Sequence, residues 1–250
     1  MTVCISEAAM NSSILIFDLW GDLGHFKKPY TTTSPLSFAF PPRPTLAGII
    51  SALIGLEKQE YADFFKIKNA NIGLGIINPV KKIRISQNLI HTKKAIQFSR
   101  IRRGTSGART RIRFEYVKDP KYRVYFQHSD QNILKQVKTR LENHESVYSV
   151  SLGLSELLAN FEYIGEFGCT EESSTGPVMI NSIIPSNKMN NFTIETEKEY
   201  FTENMPVEMN KQRVVTLFGS FIYERNGNPV QAMITTKYHK AANGDTFLFI

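Results

Sequence analysis

Apolar and polar residues alternate along the chain in patterns that predict both strands and helices. Ser13–Trp20 is almost wholly apolar and predicts a buried strand, and Ala70–Ile77 predicts another. Between them, Thr45–Leu56 follows a Pro-Arg-Pro turn and contains two glycines, which is typical of a helix packed closely on a sheet. Asn132–Leu141 has apolar residues on one side only and predicts an amphipathic helix.

The stretch between Ala70–Ile77 and the amphipathic helix is rich in alternating, β-favouring residues. Ile83–Ser86, Thr110–Val117 and Arg123–Phe126 each predict strand, and Arg100–Arg109 contains two glycines typical of a loop. We therefore expect a long antiparallel hairpin over Ile83–Phe126 with a basic tip.

The remaining elements complete an α+β prediction. A short helix is expected at Tyr61–Phe65, and further strands at Val147–Leu152, Tyr163–Cys169, Val178–Ile184, Arg213–Tyr223 and Val230–Thr236. The order strand, helix, strand, hairpin, helix, strand is that of a βαββαβ ferredoxin-like unit with a long insertion. The predicted organisation is an N-terminal extension at 1–12, a ferredoxin-like domain at 13–170 with the insertion at about 83–126, and a smaller β-rich portion at 171–250.

Charge is concentrated in the predicted hairpin. The 250 residues carry 30 Lys and Arg against 23 Asp and Glu, a net charge of +7. Fourteen of these cations but only two acids lie between Lys81 and Arg123, so this window carries +12 and the rest of the chain −5. A charge run is ordinarily a solvated face, but so strong a basic excess favours an anionic partner such as nucleic acid or a membrane surface.

Several classes of protein are excluded by what the sequence lacks. Its two cysteines, Cys4 and Cys169, are too few for a disulfide framework or a cysteine-based zinc site, and the histidines match no zinc spacing. No apolar run approaches the roughly 18–20 residues of a membrane span, and no amphipathic anchor accompanies the basic window. No phosphate-binding GxxxxGK[ST] loop is present. We expect a cytoplasmic protein without metal or cofactor.

One segment carries a family resemblance. Phe17–Leu56 reads FDLWGDLGHFKKPYTTTSPLSFAFPPRPTLAGIISALIGL, and SLGLSE at Ser151–Glu156 forms a second block. Together they resemble the CRISPR-associated RAMP subunit of Cas family five, most closely its members from type I-B complexes. The resemblance implies a ferredoxin-like (RRM/RAMP) domain with a protruding β-hairpin thumb and a smaller C-terminal β portion.

The resemblance also implies a function. Members of this family cap one end of the Cascade surveillance complex, hold the 5′ handle of the CRISPR RNA, and contact the backbone RAMP subunit and the large subunit, with target DNA near the PAM as a further partner. Single-stranded RNA ends are recognised through splayed bases, 2′-hydroxyls and phosphates. The residues expected to bind RNA are Gly24, His25, Lys27, Lys28, Thr31, Thr32, Thr33, Ser34, Arg43, Arg100, Arg102, Arg103, Arg109, Arg111 and Arg113.

The chemistry of these residue types fits phosphate and sugar contacts. Glycine permits close backbone approach, the Thr-Ser run offers hydroxyls, and Arg43 is held between two prolines. Alternation places Arg109, Arg111 and Arg113 on one strand face, as guanidiniums suited to phosphates. Turn chemistry explains the Thr-Ser run equally well, and the two lysines could be solvated.

Catalysis is the alternative hypothesis. A type I-C branch of the family cleaves precursor CRISPR RNA with tyrosine, lysine and histidine, so the rival function is a metal-independent endoribonuclease. Phe38 occupies the place of the tyrosine and has no hydroxyl, and Leu134–Val150 holds no adjacent Lys-His pair. His25 with Lys28 could supply a base and a cation. We expect a non-catalytic binding subunit.

Overall fold

The computed structural model describes residues 12–31, 33–58, 60–90 and 109–250. Strands make up 47% of the described residues and helices 14%, so β-structure dominates more than the predicted pattern implied. The helices are α1 (Arg43–Ile54), α2 (Tyr61–Phe64) and α3 (Gln131–Glu142), with a 3-10 turn at Ser186–Lys188. The strands are β1 (Ser12–Trp20), β2 (Leu23–Gly24), β3 (Ala70–Ile76), β4 (Lys81–Ile90), β5 (Arg109–Lys118), β6 (Lys121–His128), β7 (Asn160–Glu172), β8 (Val178–Ile180), β9 (Ile184–Pro185), β10 (Met189–Phe192), β11 (Tyr200–Met209), β12 (Val215–Glu224), β13 (Val230–Ile234), β14 (Tyr238–Ala241) and β15 (Thr246–Phe247).

A six-stranded antiparallel sheet forms the centre of the molecule. Its order is β15-β14-β7-β1-β6-β3, and α1 and α3 follow β1 and β6 in the chain. Beyond β15 the chain reaches the far edge of the same sheet, where Phe249 forms a bridge with Gly73 and the Ile250 amide donates to the Ile72 carbonyl at 2.8 Å. The sheet is therefore nearly closed.

The apolar sequence of β1 follows from burial on both of its faces. Leu15, Phe17 and Leu19 belong to the core cluster that includes α1 and α3. Ile14 and Ile16 point to the other face, where the chain end packs on the sheet. Each such side chain contributes roughly 1.5–3 kcal/mol on burial, and a strand covered on both faces reads as a continuous apolar run.

The predicted hairpin is confirmed in part. β4 and β5 pair antiparallel from Lys81 opposite Lys118 to Ile90 opposite Arg109, and we call this pair the ribbon. Its tip lies outside the described residues. The predicted end at Phe126 is wrong, because 121–128 forms β6, which pairs with β1 and β3 and is buried at the centre of the main sheet.

The predicted strand at Val147–Leu152 is also wrong. Its first amides instead donate to the end of α1, from Val147 to the Leu53 carbonyl at 3.2 Å and from Tyr148 to the Ala52 carbonyl at 3.0 Å. The last carbonyls of a helix lack partners within the helix, so a neighbouring segment can be recruited to satisfy them.

The C-terminal region does not separate from the main sheet at residue 170. β7 runs through that predicted boundary to Glu172, and β14 pairs with it from Tyr238 to Ala241. Two smaller sheets, β10-β13-β8 and β11-β12-β9, fill the chain between them. The strands β10, β11, β14 and β15 were not predicted from the sequence.

A buried charge network fixes the root of the ribbon. Glu203 on β11 accepts from Lys28 Nζ at 3.1 Å and has Lys82 Nζ at 3.7 Å. Lys82 Nζ also lies 3.3 Å from Glu115 on β5 and donates to the Ser37 carbonyl at 2.7 Å. The network joins the segment before α1, both ribbon strands and β11, which are distant in sequence.

We expect Glu203→Gln to lower the free energy of unfolding by about 2 kcal/mol, because the amide keeps the shape but leaves the largely buried Lys28 without its carboxylate and Lys82 with Glu115 alone. Urea denaturation measures this as a lower midpoint at an unchanged slope. Glu162→Gln, an exposed change on β7, is the matched control. Equal midpoints for the two variants would show that the network does not stabilise the fold.

Candidate nucleic-acid interface

The ribbon has two chemically different faces, because residues directly opposite in an antiparallel pair lie on the same face and alternate along the strand. We call one the charged face; its side chains are Lys82, Arg84, Ser86, Asn88, Ile90, Arg109, Arg111, Arg113, Glu115 and Val117. We call the other the uncharged face. Beyond the Lys81–Lys118 pair at its root, its side chains are Ile83, Ile85, Gln87, Leu89, Thr110, Ile112, Phe114 and Tyr116.

The charged face presents a row of exposed guanidiniums. Arg109, Arg111 and Arg113 are exposed at alternate positions of β5, as alternation predicted. Successive members are therefore roughly 7 Å apart along the strand. Glu115, at the root, is the acidic residue of β4 and β5. Beyond Glu115, every charged side chain that the structure describes on this face is therefore an arginine.

Arg84 is a member of this face that the sequence analysis did not single out. It stands opposite Glu115, with Nη2 3.5 Å from a carboxylate oxygen, and is itself exposed. The register of the two strands would have revealed it, because Ile83–Ser86 already showed the alternation. Arg100, Arg102 and Arg103 lie outside the described residues.

The two predicted lysines are in different environments. Lys27 is exposed, and its backbone forms a bridge with Ser37. Lys28 is only 16% exposed at its side chain, pairs with Glu203 and lies 5.2 Å from the Phe38 ring centroid. Lys28 is therefore part of the ribbon root. It is neither an exposed RNA contact nor a solvated lysine.

His25 is enclosed, contrary to the expectation of a ring beside a sugar-phosphate. It is 2% exposed, Nδ1 lies 2.8 Å from the Glu115 carbonyl, and its ring packs on Phe114 and Tyr116 with centroids 5.6 Å away. Nε2 is buried without a partner among the described residues. A Cβ on Gly153, at φ +103°, would lie 1.9 Å from the His25 carbonyl, so this loop requires glycine.

Arg43 is buried as well, which corrects its assignment as a surface cation. Its side chain turns inward from the start of α1, where Nη2 donates to the Ala70 carbonyl at 2.6 Å and Nε has no partner among the described residues. Burial lowers the pKa of the guanidinium to about 10, and the nearby Glu208 carboxylate partly opposes that change. Arg43 thus ties α1 to β3.

Gly24 and the Thr-Ser run mainly contact their own chain. Gly24 pairs with Val117 on β5, and a Cβ there would lie 3.2 Å from the Phe26 ring. Thr31 Oγ1 donates to the Lys28 carbonyl at 2.8 Å and accepts from the Leu36 amide, which is turn chemistry. Thr33 and Ser34 are exposed, and Thr32 lies outside the described residues.

A cleft of about 520 Å³ opens along α1, and we call it the α1 cleft. Gly48 lies on its floor, where a Cβ would meet nothing within 4 Å. Hydroxyls and cations line it, from Lys27, Thr45, Tyr61, Ser149, Ser151 and Arg213. Of these six residues only Lys27 was predicted from the sequence. Thr45 lies in α1, Tyr61 in α2, Ser149 and Ser151 after α3, and Arg213 between β11 and β12, so they show no common local pattern.

The described residues contain no group of three His, Cys, Asp or Glu side chains able to hold a metal ion. None of the helices described is long and apolar enough to cross a membrane.

Two solved structures share this fold. A CRISPR protein from Archaeoglobus fulgidus superposes with a TM-score of 0.52 at 13% identity, over 94% of this chain and 97% of that one. A chain of a CRISPR RNA-guided surveillance complex gives a TM-score of 0.50 at 9% identity, over 93% of this chain and 92% of that one. No curated protein matches the sequence significantly.

The family itself is shown by the sequence. A family model described as CRISPR-associated protein (Cas_Cas5) matches residues 14–215, which include β1, the ribbon, α3 and β11. The match covers most of the chain and therefore both the charged face and the α1 cleft. This chain belongs to the Cas5 family of CRISPR-associated proteins.

Proposed function

We propose that this chain is the RNA-binding subunit of a type I, Cascade-type CRISPR surveillance complex, of subtype I-B, in which it caps the 5′ handle of the CRISPR RNA. The observation that carries the proposal is the charged face, where Arg109, Arg111 and Arg113 stand exposed in one row. Guanidiniums in such a row bind phosphates bidentately and independently of base sequence.

The α1 cleft supports binding of a strand end as well as its backbone. It offers two cations, Lys27 and Arg213, and hydroxyls from Thr45, Ser149 and Ser151 within one concave surface. Hydroxyls and cations are the groups that recognise phosphates and 2′-hydroxyls of single-stranded RNA. We assign the handle to this cleft and the adjoining guide to the ribbon.

The uncharged face supports a protein neighbour. Ile85 and Leu89 are more than a third exposed there, and the described part of this face from the Ile83–Tyr116 pair to the Leu89–Thr110 pair has no acidic or basic side chain. An apolar β-surface in water favours association. We propose that it packs on the backbone RAMP subunit while the charged face holds RNA, and that the large subunit and target DNA near the PAM adjoin the α1 cleft.

We also propose a ferredoxin-like (RRM/RAMP) classification for the core. Support comes from the order β7-β1-β6-β3 within the main sheet and from α1 and α3 as the connections between β1 and β3 and between β6 and β7. These six elements follow each other as β, α, β, β, α, β. In this description the ribbon is the insertion between the second and third strands.

We further propose that the subunit does not cleave RNA. A general base has to reach the 2′-hydroxyl that it deprotonates. His25 is enclosed by Phe114 and Tyr116, and Lys28 Nζ is held by Glu203 at 3.1 Å. These contacts favour the binding role over the endoribonuclease alternative.

Replacing Arg109, Arg111 and Arg113 together with Gln should weaken binding to CRISPR RNA and reduce the slope of log affinity against log salt by roughly 0.7 per lost phosphate contact. Fluorescence anisotropy over a salt series measures both quantities. The control replaces Lys135, Lys237 and Lys240, which are exposed on other elements. An unchanged slope in the ribbon variant would remove these arginines from the phosphate contacts.

Arg43→Met should change RNA affinity less than twofold, because the guanidinium is buried against β3 and cannot reach a ligand. Its stability should stay within about 1.5 kcal/mol of the parent, since Met is similarly long and carries no buried charge. Arg111→Met is the matched exposed change and should weaken RNA binding. A larger loss of RNA binding in Arg43→Met than in Arg111→Met would contradict the assignment.

Purified protein incubated with repeat RNA in EDTA should leave the RNA intact. Denaturing electrophoresis detects any product, and a defined cleavage site would support the endoribonuclease alternative instead. In that case His25→Ala should abolish the product if the histidine is the base. Persistence of the product in that variant would place the chemistry elsewhere.

A further inference from the structure

A second, larger cleft lies away from the ribbon and the α1 cleft. It measures about 1000 Å³ and runs between β12 and the main sheet, and we call it the β12 cleft. One wall is formed by Leu217–Phe221 and the opposite side by Ile67, Asn71 and Gln127. Its volume lies at the upper end of the range for ligand sites.

One edge of β12 is open along this cleft. β11 pairs with the whole strand on one side, whereas on the other side β9 pairs only at Phe221 and Ile222. Over 215–220 the described residues supply no strand on that side. After Pro185 the chain enters the 3-10 turn at Ser186–Lys188, where the Ser186 hydroxyl donates to Ser220 Oγ at 3.2 Å, and the cleft opens beside the rest of the edge. The open edge is roughly 20 Å long.

Apolar side chains surround the open edge. Leu217 is 46% and Phe218 52% exposed, and Ile67 across the cleft is 41% exposed. Phe249 lies inside the cleft as part of a buried aromatic cluster. A backbone edge with unpaired amides and carbonyls, bordered by apolar side chains, accepts an extended peptide as an additional strand.

Charge distinguishes one end of the cleft. The titratable side chains that line it are those of Lys188, Lys237, Glu171 and His239. Lys237 is paired with Glu171 at 2.9 Å, while Lys188 Nζ donates to the Phe249 carbonyl at 2.8 Å. Burial lowers the pKa of the Lys188 ammonium. A carboxylate from outside would complement this end.

We infer that the β12 cleft is a docking site for an extended apolar segment of another protein subunit, which adds to β12 as a strand and places an acidic residue beside Lys188. The inference rests on the proposed function only for the source of that segment. RNA is disfavoured as the occupant because the side chains beside the open edge, Leu217 and Phe218, are apolar and the open groups are backbone amides and carbonyls.

Hydrogen exchange of the β12 amides tests the inference. The full chain is measured alone, with CRISPR RNA, and in the complex assembled on that RNA with its partner subunits. Because pairing protects amides from exchange, the 216–220 peptide should exchange at least tenfold more slowly in the complex than in the chain alone or with RNA. Assembly without that protection would overturn the inference and leave the proposed function standing.

Other outcomes name other occupants and also overturn it. Protection by RNA alone would make the cleft a nucleic-acid site, and protection of the free chain that rises with its concentration, together with a dimer in sedimentation, would indicate pairing of two copies. Failure of the chain to join any complex on CRISPR RNA would overturn both proposals.

A matched pair of variants connects the cleft to assembly. Phe218→Asp should lower the affinity of the RNA-bound chain for its partner subunits at least tenfold and leave RNA affinity within twofold. Ile194→Asp, an exposed apolar position outside the cleft, should leave both within twofold. Equal assembly of the two variants would show that no apolar segment is held at Phe218.

Discussion

The position of the ribbon depends on two buried carboxylates, Glu115 and Glu203. Removing an ion from water costs several kcal/mol, so each carboxylate must be matched by a cation or by amide donors. Lys28 and Lys82 provide the cations, and the Ser37 and Ala39 amides donate to the carboxylate oxygens. This requirement is met only when the segment before α1, the ribbon and β11 meet at one place. If any of these three parts were displaced, a buried charge would be left without a partner.

Fixing the root of the ribbon also fixes which residues face outward. Glu115 stands opposite Arg84, and from that pair the alternation of β5 carries Arg113, Arg111 and Arg109 along the same face. A slip of one residue between sheet partners would transfer a whole set of side chains to the opposite face. The separation of a cationic face from an uncharged one is therefore a consequence of the buried network as much as of the alternating sequence.

The sequence allowed prediction of elements whose pattern is local. β1, α1, β3 and α3 have continuous apolar or amphipathic patterns and were found within a few residues, and the shared face of Arg109, Arg111 and Arg113 followed from alternation. Lys28, His25 and Arg43 were interpreted as surface groups, because what buries them comes from far along the chain: Glu203 lies 175 residues from Lys28. β11 was not predicted because its buried face contains Glu203, whose partner Lys28 is not among its neighbours in the sequence.

The basic window is consequently divided between folding and binding. Lys82 and Arg84 compensate Glu115 at the root, and Lys121 and Arg123 lie 3.5 and 2.9 Å from Asp18 in the main sheet, whereas Arg109, Arg111 and Arg113 beyond the root are exposed. The same root connects the ribbon to the β12 cleft, because Glu203 is the register partner of Phe221, which lines that cleft. A strand added to β12 would therefore extend the sheet that positions the cationic face, so the proposed protein-docking and RNA-binding surfaces would share one support.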